Sequence, residues 1–437
     1  MAQNNSYLAA IDLGTTKVVT IIGKKNSNGK LQIAGYSMAL SIGIKRGVVL
    51  NIEETVKSIQ KTVEDVKLKS GVIFDDVFVG IAGQHIRSIR NRGYINRNNP
   101  EEMICIEDVQ KLIDDMYRIP TDVGEEILHV LPQNFIVNNE AGIKNPVGMS
   151  GQRLEANFHI VIGQTASAKN IERCVNRVGL KVSDLILEPL ASAEAVLTDD
   201  EKEAGVVLVD IGGGTTDVAV YYDGIVRHTA VIPFGGNVIT NDIKEGCQIL
   251  QRQAESLKIQ FGSALGDIAP EDKIVTIPGI SGREPKEISF KNLAYIIQSR
   301  MEEIIDTVSF EIENSGYAEK LSAGIVLTGG GAMLKHLPQL VKFKTGFDVR
   351  IGYPNEHLAA DTSEEINVPT FSTAIGLILK GFEQVETLNR INNDEDFGEI
   401  DTPQTEQQKK KLVKKSGILD AFKRKFTEIF EENDAEM

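Results

Sequence analysis

Two stretches of the chain share one pattern. Residues 7–24 (YLAAIDLGTTKVVTIIGK) and 205–222 (GVVLVDIGGGTTDVAVYY) each run through an apolar segment, an aspartate, one apolar residue, a Gly/Thr turn and a second β-branched segment. That order predicts a strand, a tight polar turn and a second strand. The likeness of the two is an internal repeat, though not one of short solenoid period. It predicts two structurally related halves, each opening with a hairpin.

The segments between and after them alternate in texture. Residues 51–68 place Ile52, Val56, Ile59, Val63 and Val66 at helical spacing. GKKNSNGKL at 23–31 reads as a hairpin turn. Residues 77–163 mix short strands (VFVGIAG, FIVNN, NFHIVIG) around one helix, EDVQKLIDDMYRI. Residues 168–180 read as a helix stopped by glycine. Helical segments follow near 237–261 and 290–314, with a strand-like stretch between them. In the second, Leu293, Ile296, Ile297, Met301, Ile304, Ile305 and Val308 form an apolar stripe with no basic flank, which predicts core. IVLTGGGAMLKHLPQLVKF reads as a buried strand, a triple-glycine turn and a helix, and FSTAIGLILKGF as an apolar closing helix. From about residue 383 the chain is polar and acidic without apolar period, predicting a flexible linker over 383–408.

The last stretch, 409–437, changes character again. Between 409 and 425 it carries eight basic residues and one acidic one, in a chain whose net charge is −15. On a helical wheel Ile418, Leu419, Phe422, Phe426, Ile429 and Phe430 fall within about 120° of arc. Lys423 and Lys425 flank that face, where their stems can snorkel. A basic amphipathic helix of this kind predicts attachment to an anionic lipid surface. The competing reading is a helix docked on its own domain or in a partner's groove.

Length and charge narrow the picture. A chain of 437 residues suggests two or three domains. The acidic balance excludes wholesale binding to nucleic acid or an anionic bilayer, so any such contact is local. Three scattered cysteines, Cys105, Cys174 and Cys247, form no Cys-x-x-Cys pair and suit a reducing compartment. Six histidines show no metalloprotease spacing. No signal peptide is read at MAQNNSYLAA, and no segment approaches the ~18 apolar residues of a membrane span. The expectation is a cytosolic protein that touches a membrane from one side.

Candidate chemistry lies in three glycine-rich turns: Asp12-Leu13-Gly14-Thr15-Thr16-Lys17, Asp210-Ile211-Gly212-Gly213-Gly214-Thr215-Thr216-Asp217, and Thr328-Gly329-Gly330-Gly331-Ala332-Met333. Glycine lets backbone approach a phosphate, and successive N–H groups form an anion-binding nest. Asp12 and Asp210, each at a strand end, can hold Mg²⁺ through water. Two opposed hairpins would clamp the β- and γ-phosphates, and the third turn suits the adenosine end. Each glycine run taken alone could be only a tight turn; three together argue for a site. The spacing matches neither a Walker loop nor a dinucleotide fingerprint.

These residues resemble the actin superfamily, and within it the FtsA family of bacterial cell-division proteins. Further similarity lies in SIGIKRGVVLNIEET (41–55), VFVGIAGQHIRS (77–88) and residues 127–163. The resemblance covers nearly all of residues 7–380. It implies an α/β, actin-like two-lobed fold of duplicated ribonuclease H-like halves, with an inserted α+β subdomain, a disordered linker and a C-terminal amphipathic helix. The implied parts are subdomain 1A over 1–83 and 164–204, the FtsA-type insert 1C over 84–163, 2A over 205–236 and 321–382, and 2B over 237–320. Connecting helices are implied in 185–197 and in TAIGLIL.

The resemblance also implies site residues. Gly14, Thr15, Thr16 and Lys17 match the first loop, and Gly212, Gly213, Gly214, Thr215 and Thr216 the second. Gly235, Gly236 and Asn237 resemble the turn opening the second small subdomain. Glu255 and Lys258 match the helix meeting ribose and base, and Gly329, Gly330, Gly331 and Met333 the adenosine turn. Glu188 matches the carboxylate that positions attacking water in some relatives, with Asp210 as the other candidate for that role. Before Pro189, Glu188 could instead simply end a strand and cap a helix. The cofactors implied are ATP and Mg²⁺, with hydrolysis weak at most. The partners implied are FtsZ, further copies of the chain in a polymer, later cell-division membrane proteins of the divisome, and anionic inner-membrane lipid. The implied location is the cytoplasmic face of the inner membrane at the division septum. A pilus-assembly actin homologue and a sugar or acetate kinase of the same superfamily are the alternatives.

Overall fold

The sequence repeat becomes two five-stranded sheets of identical topology. In the first, β1 (Leu8–Leu13), β2 (Lys17–Lys25) and β3 (Leu31–Leu40) form an antiparallel meander. A small hairpin, β4 (Ile44–Lys45) and β5 (Val48–Val49), leads into helix α1 (Ile52–Ser70). Asn51 caps α1 by accepting from the Glu54 N–H, and Gly71 ends it in the left-handed conformation. Strand β6 (Asp76–Ile81) then lies parallel to β1. The computed structural model describes residues 7–99, 101–279, 284–360 and 362–396.

An excursion interrupts this half. It comprises β7 (Arg87–Asn96), α2 (Ile106–Met116), β8 (Glu125–Val137), β9 (Glu140–Ile143) and β10 (Arg153–Gln164). The strands form a separate antiparallel sheet in the order β7-β10-β8-β9. Strand period decides its two faces. Leu154, Ala156, Phe158, Ile160 and Ile162 of β10 pack with Leu112 and Met116 of α2 in a core of their own. The alternate positions include Glu155 and His159, polar yet buried. His159 is satisfied by Thr229 of the second half, at 2.9 Å. After α3 (Thr165–Arg177), β11 (Lys181–Leu187) returns to the first sheet parallel to β6.

Helix α4 (Glu188–Val196) and the short α5 (Asp199–Ala204) lead to the second half. There β12 (Val206–Ile211), β13 (Thr216–Tyr222) and β14 (Ile225–Ile232) repeat the meander. Next come α6 (Gly236–Cys247), α7 (Gln251–Phe261), the hairpin β15 (Ile274–Ile277) and β16 (Lys286–Ser289), and the long α8 (Phe290–Ser315). The helical stretch near 237–261 is therefore two helices, split where Gln248 adopts φ 52°. Strand β17 (Gly324–Thr328) pairs parallel to β12, and after α9 (Leu337–Thr345) β18 (Val349–Ile351) closes the sheet. The apolar stripe of α8 lies in the core of this half, with Leu293, Ile297, Met301, Ile304, Ile305 and Val308 buried and Ile296 partly so.

The last described helix, α10 (Ser372–Asp396), corrects one expectation. Residues 383–396, read from sequence as the start of a flexible linker, are helical. The physical reason is local: this stretch is polar but holds neither proline nor glycine, and the next glycine is Gly398. The chain divides into two units at Gly381 and Phe382, so α10 begins in the first and continues into the second. The expected membrane-binding residues Ile418, Leu419, Phe422, Lys423, Lys425, Phe426, Ile429 and Phe430 lie outside the described residues. Among the described residues no helix is long and apolar enough to cross a membrane.

Candidate functional site

The two hairpins meet tip to tip. Register defines both loops: Leu13 pairs with Val18, and Ile211 with Thr216, leaving four residues in each turn. Thr15 and Thr16 therefore stand opposite Gly213 and Gly214. A side chain on Gly213 would fall inside the Thr16 methyl, and one on Gly214 would strike the Thr15 hydroxyl. The glycines are needed there for close approach.

Carboxylates collect behind these turns. Asp12 and Asp210 stand one residue before the ends of β1 and β12, both buried, and Asp217 of β13 pairs with Asp210. Glu188 begins α4, its carboxylate against Gly80 of β6. The Asp210 Oδ2 accepts hydrogen bonds from Ser192 (2.6 Å) and Thr373 (3.2 Å), which fixes it. Asp217 Oδ1 is buried without a partner, and its Oδ2 has only the Thr215 hydroxyl at 3.5 Å.

Charge crowding is written in the acidities. Burial, opposed by Lys17 and reinforced by Asp210, pushes Asp12 up to about 6. Burial raises Asp210 as well, against the two hydroxyls and Lys17. Asp217 and Glu188 are driven well above the ordinary carboxylate range, by burial first and then by the neighbouring carboxylates. Burial lowers the Lys17 amine, while Asp12 and Asp210 raise it. The Lys17 ammonium bonds the Thr370 carbonyl and lies 5.2 Å from the Phe371 ring centre.

The remaining expected residues fall around this centre in different ways. Thr216 turns its hydroxyl away, donating to the Phe234 carbonyl at 2.9 Å, so it serves the turn rather than the cleft. The Gly236 N–H donates to Gly212 O (2.9 Å) and the Asn237 N–H to Gly213 O (2.8 Å), which pins α6 to the second loop. A side chain on Gly235 would collide with the carbonyls of Gly212 and Thr215. Lys258 bonds Gly236 O (3.0 Å), Thr240 (2.8 Å) and Glu255 (2.8 Å). The third turn is a single 3₁₀ turn, Gly330–Met333, and α9 starts only at Leu337. Gly329 (φ 82°) leaves room for Asp210 Oδ1, Gly331 abuts Ile211, and Gly330 faces open space. Met333 is exposed.

Sequence reasoning did not single out Asp217, Ser192 or Thr373. The register opposite Asp210 would have exposed Asp217. The two hydroxyls sit on different helices and meet only in the fold.

These residues fit a magnesium nucleotide. Orphaned carboxylate oxygen and mutually repelling buried acids call for a cation. Among the described residues no group of three or more His, Cys, Asp or Glu side chains is arranged to hold an ion.

Comparison with known proteins gives this geometry its kin. A family model described as cell division protein FtsA matches residues 207–376, and one described as the SHS2 domain inserted in FtsA matches residues 83–162. The chain is 38% identical to the cell division protein FtsA of Pseudomonas aeruginosa, over 87% of this chain and 91% of that protein. It is 36% identical to that of Escherichia coli K12, over 87% and 92%. Among solved structures, the PilM–PilN type IV pilus biogenesis complex shares the fold with a TM-score of 0.63 at 15% identity, over 86% of this chain and 99% of that one. MreB5 of Spiroplasma citri bound to ADP does so with a TM-score of 0.53 at 16% identity, over 89% and 100%. Duplicated sheets, the inserted antiparallel subdomain and sequence identity along most of both chains agree: the chain belongs to the FtsA family of actin-like cell-division proteins.

Proposed function

We propose that this chain is an ATP–Mg²⁺-binding adaptor that self-associates at the cytoplasmic face of the inner membrane. There it tethers the FtsZ ring at the division site and recruits later cell-division membrane proteins. The observation that carries the nucleotide part is the meeting of the two hairpins over four buried or half-buried carboxylates, one with an unpartnered oxygen. Structures of MreB5 bound to ADP and to AMPPNP show nucleotides held by proteins of this fold. Family membership supports the division role over the pilus-assembly and kinase readings.

In this reading Asp12 and Asp210 would hold Mg²⁺ through water, and the ion would supply positive charge against the phosphates. Gly14, Thr15 and the Gly212–Gly214 turn offer N–H and hydroxyl donors to phosphate oxygens. Gly329–Gly331, Met333, Glu255 and Lys258 border the adenosine. Glu188 and Asp210 orient the attacking water, as positioning in phosphoryl transfer requires. Burial and the neighbouring carboxylates raise the pKa of Glu188 above the ordinary range, and the family resemblance implies hydrolysis that is weak at most. Residues 409–437 supply the membrane contact, with lipid headgroups meeting Lys423 and Lys425.

Two measurements test this. Calorimetric titration with ATP should show magnesium-dependent binding that Asp12→Ala and Asp210→Ala abolish; unchanged affinity in both would refute the nucleotide reading. Anionic liposomes should co-sediment the full chain and leave a chain ending before residue 416 in solution. Equal pelleting of the two would remove the tail from the proposal.

A further inference from the structure

The insert and the second half meet along a seam that forms a solvent-open pocket of about 630 Å³. None of its lining residues belongs to the hairpins or turns described above. Four of them are cationic, Arg90, Arg92, Lys144 and Arg227, and one is acidic, Asp223. This is a local reversal of sign in a chain of net charge −15.

The cations are not equivalent. Lys144 is paired with Asp223 at 2.6 Å, and Arg92 with the buried Glu155 at 2.6 Å. The Arg90 Nη2 donates to the Ser315 carbonyl at 2.9 Å. Arg227 donates from Nε to Tyr222 O (3.1 Å) and from Nη1 to Gln133 O (3.2 Å), over the Tyr317 ring. Asp223 lies beside it, with Oδ2 at 3.9 Å from Arg227 Nη2 and Oδ1 paired with Lys144. Two guanidinium groups, one from each side of the seam, are thus held in place by backbone carbonyls, and the cations Lys144 and Arg227 share the single carboxylate of Asp223. Each guanidinium has five N–H donors and spends only one or two on its anchors.

We propose that this cavity binds a soluble, phosphate-bearing small molecule that bridges the insert and the second half. Several cations around one space call for a ligand with several anionic oxygens, and guanidinium pairs with phosphate in bidentate fashion. The volume lies within the range of small-molecule sites and exceeds the needs of a lone anion. The lining mixes apolar surface with guanidinium and amide groups, so a ligand there meets cations on both sides of the seam. A bound molecule would touch Arg90 of β7 and Arg227 of β14 together, adding to the seam's own bonds, which include His159–Thr229, Lys144–Asp223 and Gln133 Nε2 donating to Val226 O at 2.7 Å.

The test is titration of the full chain with inorganic pyrophosphate in magnesium-free buffer, with hydrogen exchange as a second readout. Binding should slow exchange in β7 and β14. Arg90→Gln and Arg227→Gln should each weaken it by about tenfold or more, and Asp223→Asn should strengthen it. Arg90 is exposed, so its variant carries the test if the Arg227 one misfolds. The proposal is overturned by an absence of binding up to about 10 mM. It is equally overturned by affinity that both arginine variants leave intact, or by preference for an oligoglutamate peptide over pyrophosphate.

Discussion

The two hairpins have the same length, the same register and opposite contents. The first loop carries side chains: Thr15, Thr16 and Lys17. The second carries almost none: Gly212, Gly213 and Gly214. Each is shaped by the other, because the threonines occupy the space that the glycines leave. Their aspartates differ as well. Asp210 is held by two hydroxyls from helices α4 and α10, whereas Asp12 is pushed up to about 6 by burial, against Lys17 and with Asp210. One scaffold thus carries two differently held aspartates, one fixed by hydroxyls and one set against an ammonium.

That contrast can be broken at several points. The largest effect is expected from Gly235→Val, whose side chain meets two backbone carbonyls that cannot step aside. ATP affinity, read by titration, should fall by at least about a hundredfold, with destabilisation of about 1–3 kcal/mol, the range for forced overpacking. Gly213→Ala should cost about tenfold in affinity, and Thr16→Ala in the same chain should restore most of it, because the obstacle is only a methyl group. A double-mutant cycle that shows simple additivity would disprove the interdigitation.

A smaller effect concerns pH. Asp12 is raised above its unfolded value of 3.8. Its contribution to stability is therefore fully present below about pH 4 and is lost as pH rises through about 6. Asp12→Asn should melt higher than the parent at pH 8 without nucleotide, by roughly 2 °C for each kcal/mol relieved. The gain should vanish by about pH 4. A gain equal at all pH values would mean that charge is not its source. Least of all, Ser192→Ala should loosen Asp210 and weaken magnesium-dependent binding by a few-fold, since Thr373 still donates to the same oxygen.

The strands and turns were legible because glycine runs between β-branched segments leave little choice of structure. The α8 stripe and the insert's strands were legible for the same reason of period. What escaped was long-range or context-bound. Thr216 repeats Thr16 in sequence, yet register aligns it with Val18, and its hydroxyl points at Phe234 O. The break falls at Gln248, which takes the left-handed conformation although glycine stands two residues earlier, at Gly246. Ser192 and Thr373 look like incidental polar residues in apolar helices until the fold brings both to Asp210. Composition also misled over 383–396, where polarity read as a linker while helix propensity was intact.

One attachment has a mechanical outcome. The first turn of α6 hangs from the glycine loop by the Gly236 and Asn237 amides, and Lys258 clasps the same turn from α7. Any shift of Gly212 or Gly213 therefore pulls directly on the first turn of α6, and through Lys258 on α7, so the loop and the start of the second small subdomain form one mechanical joint.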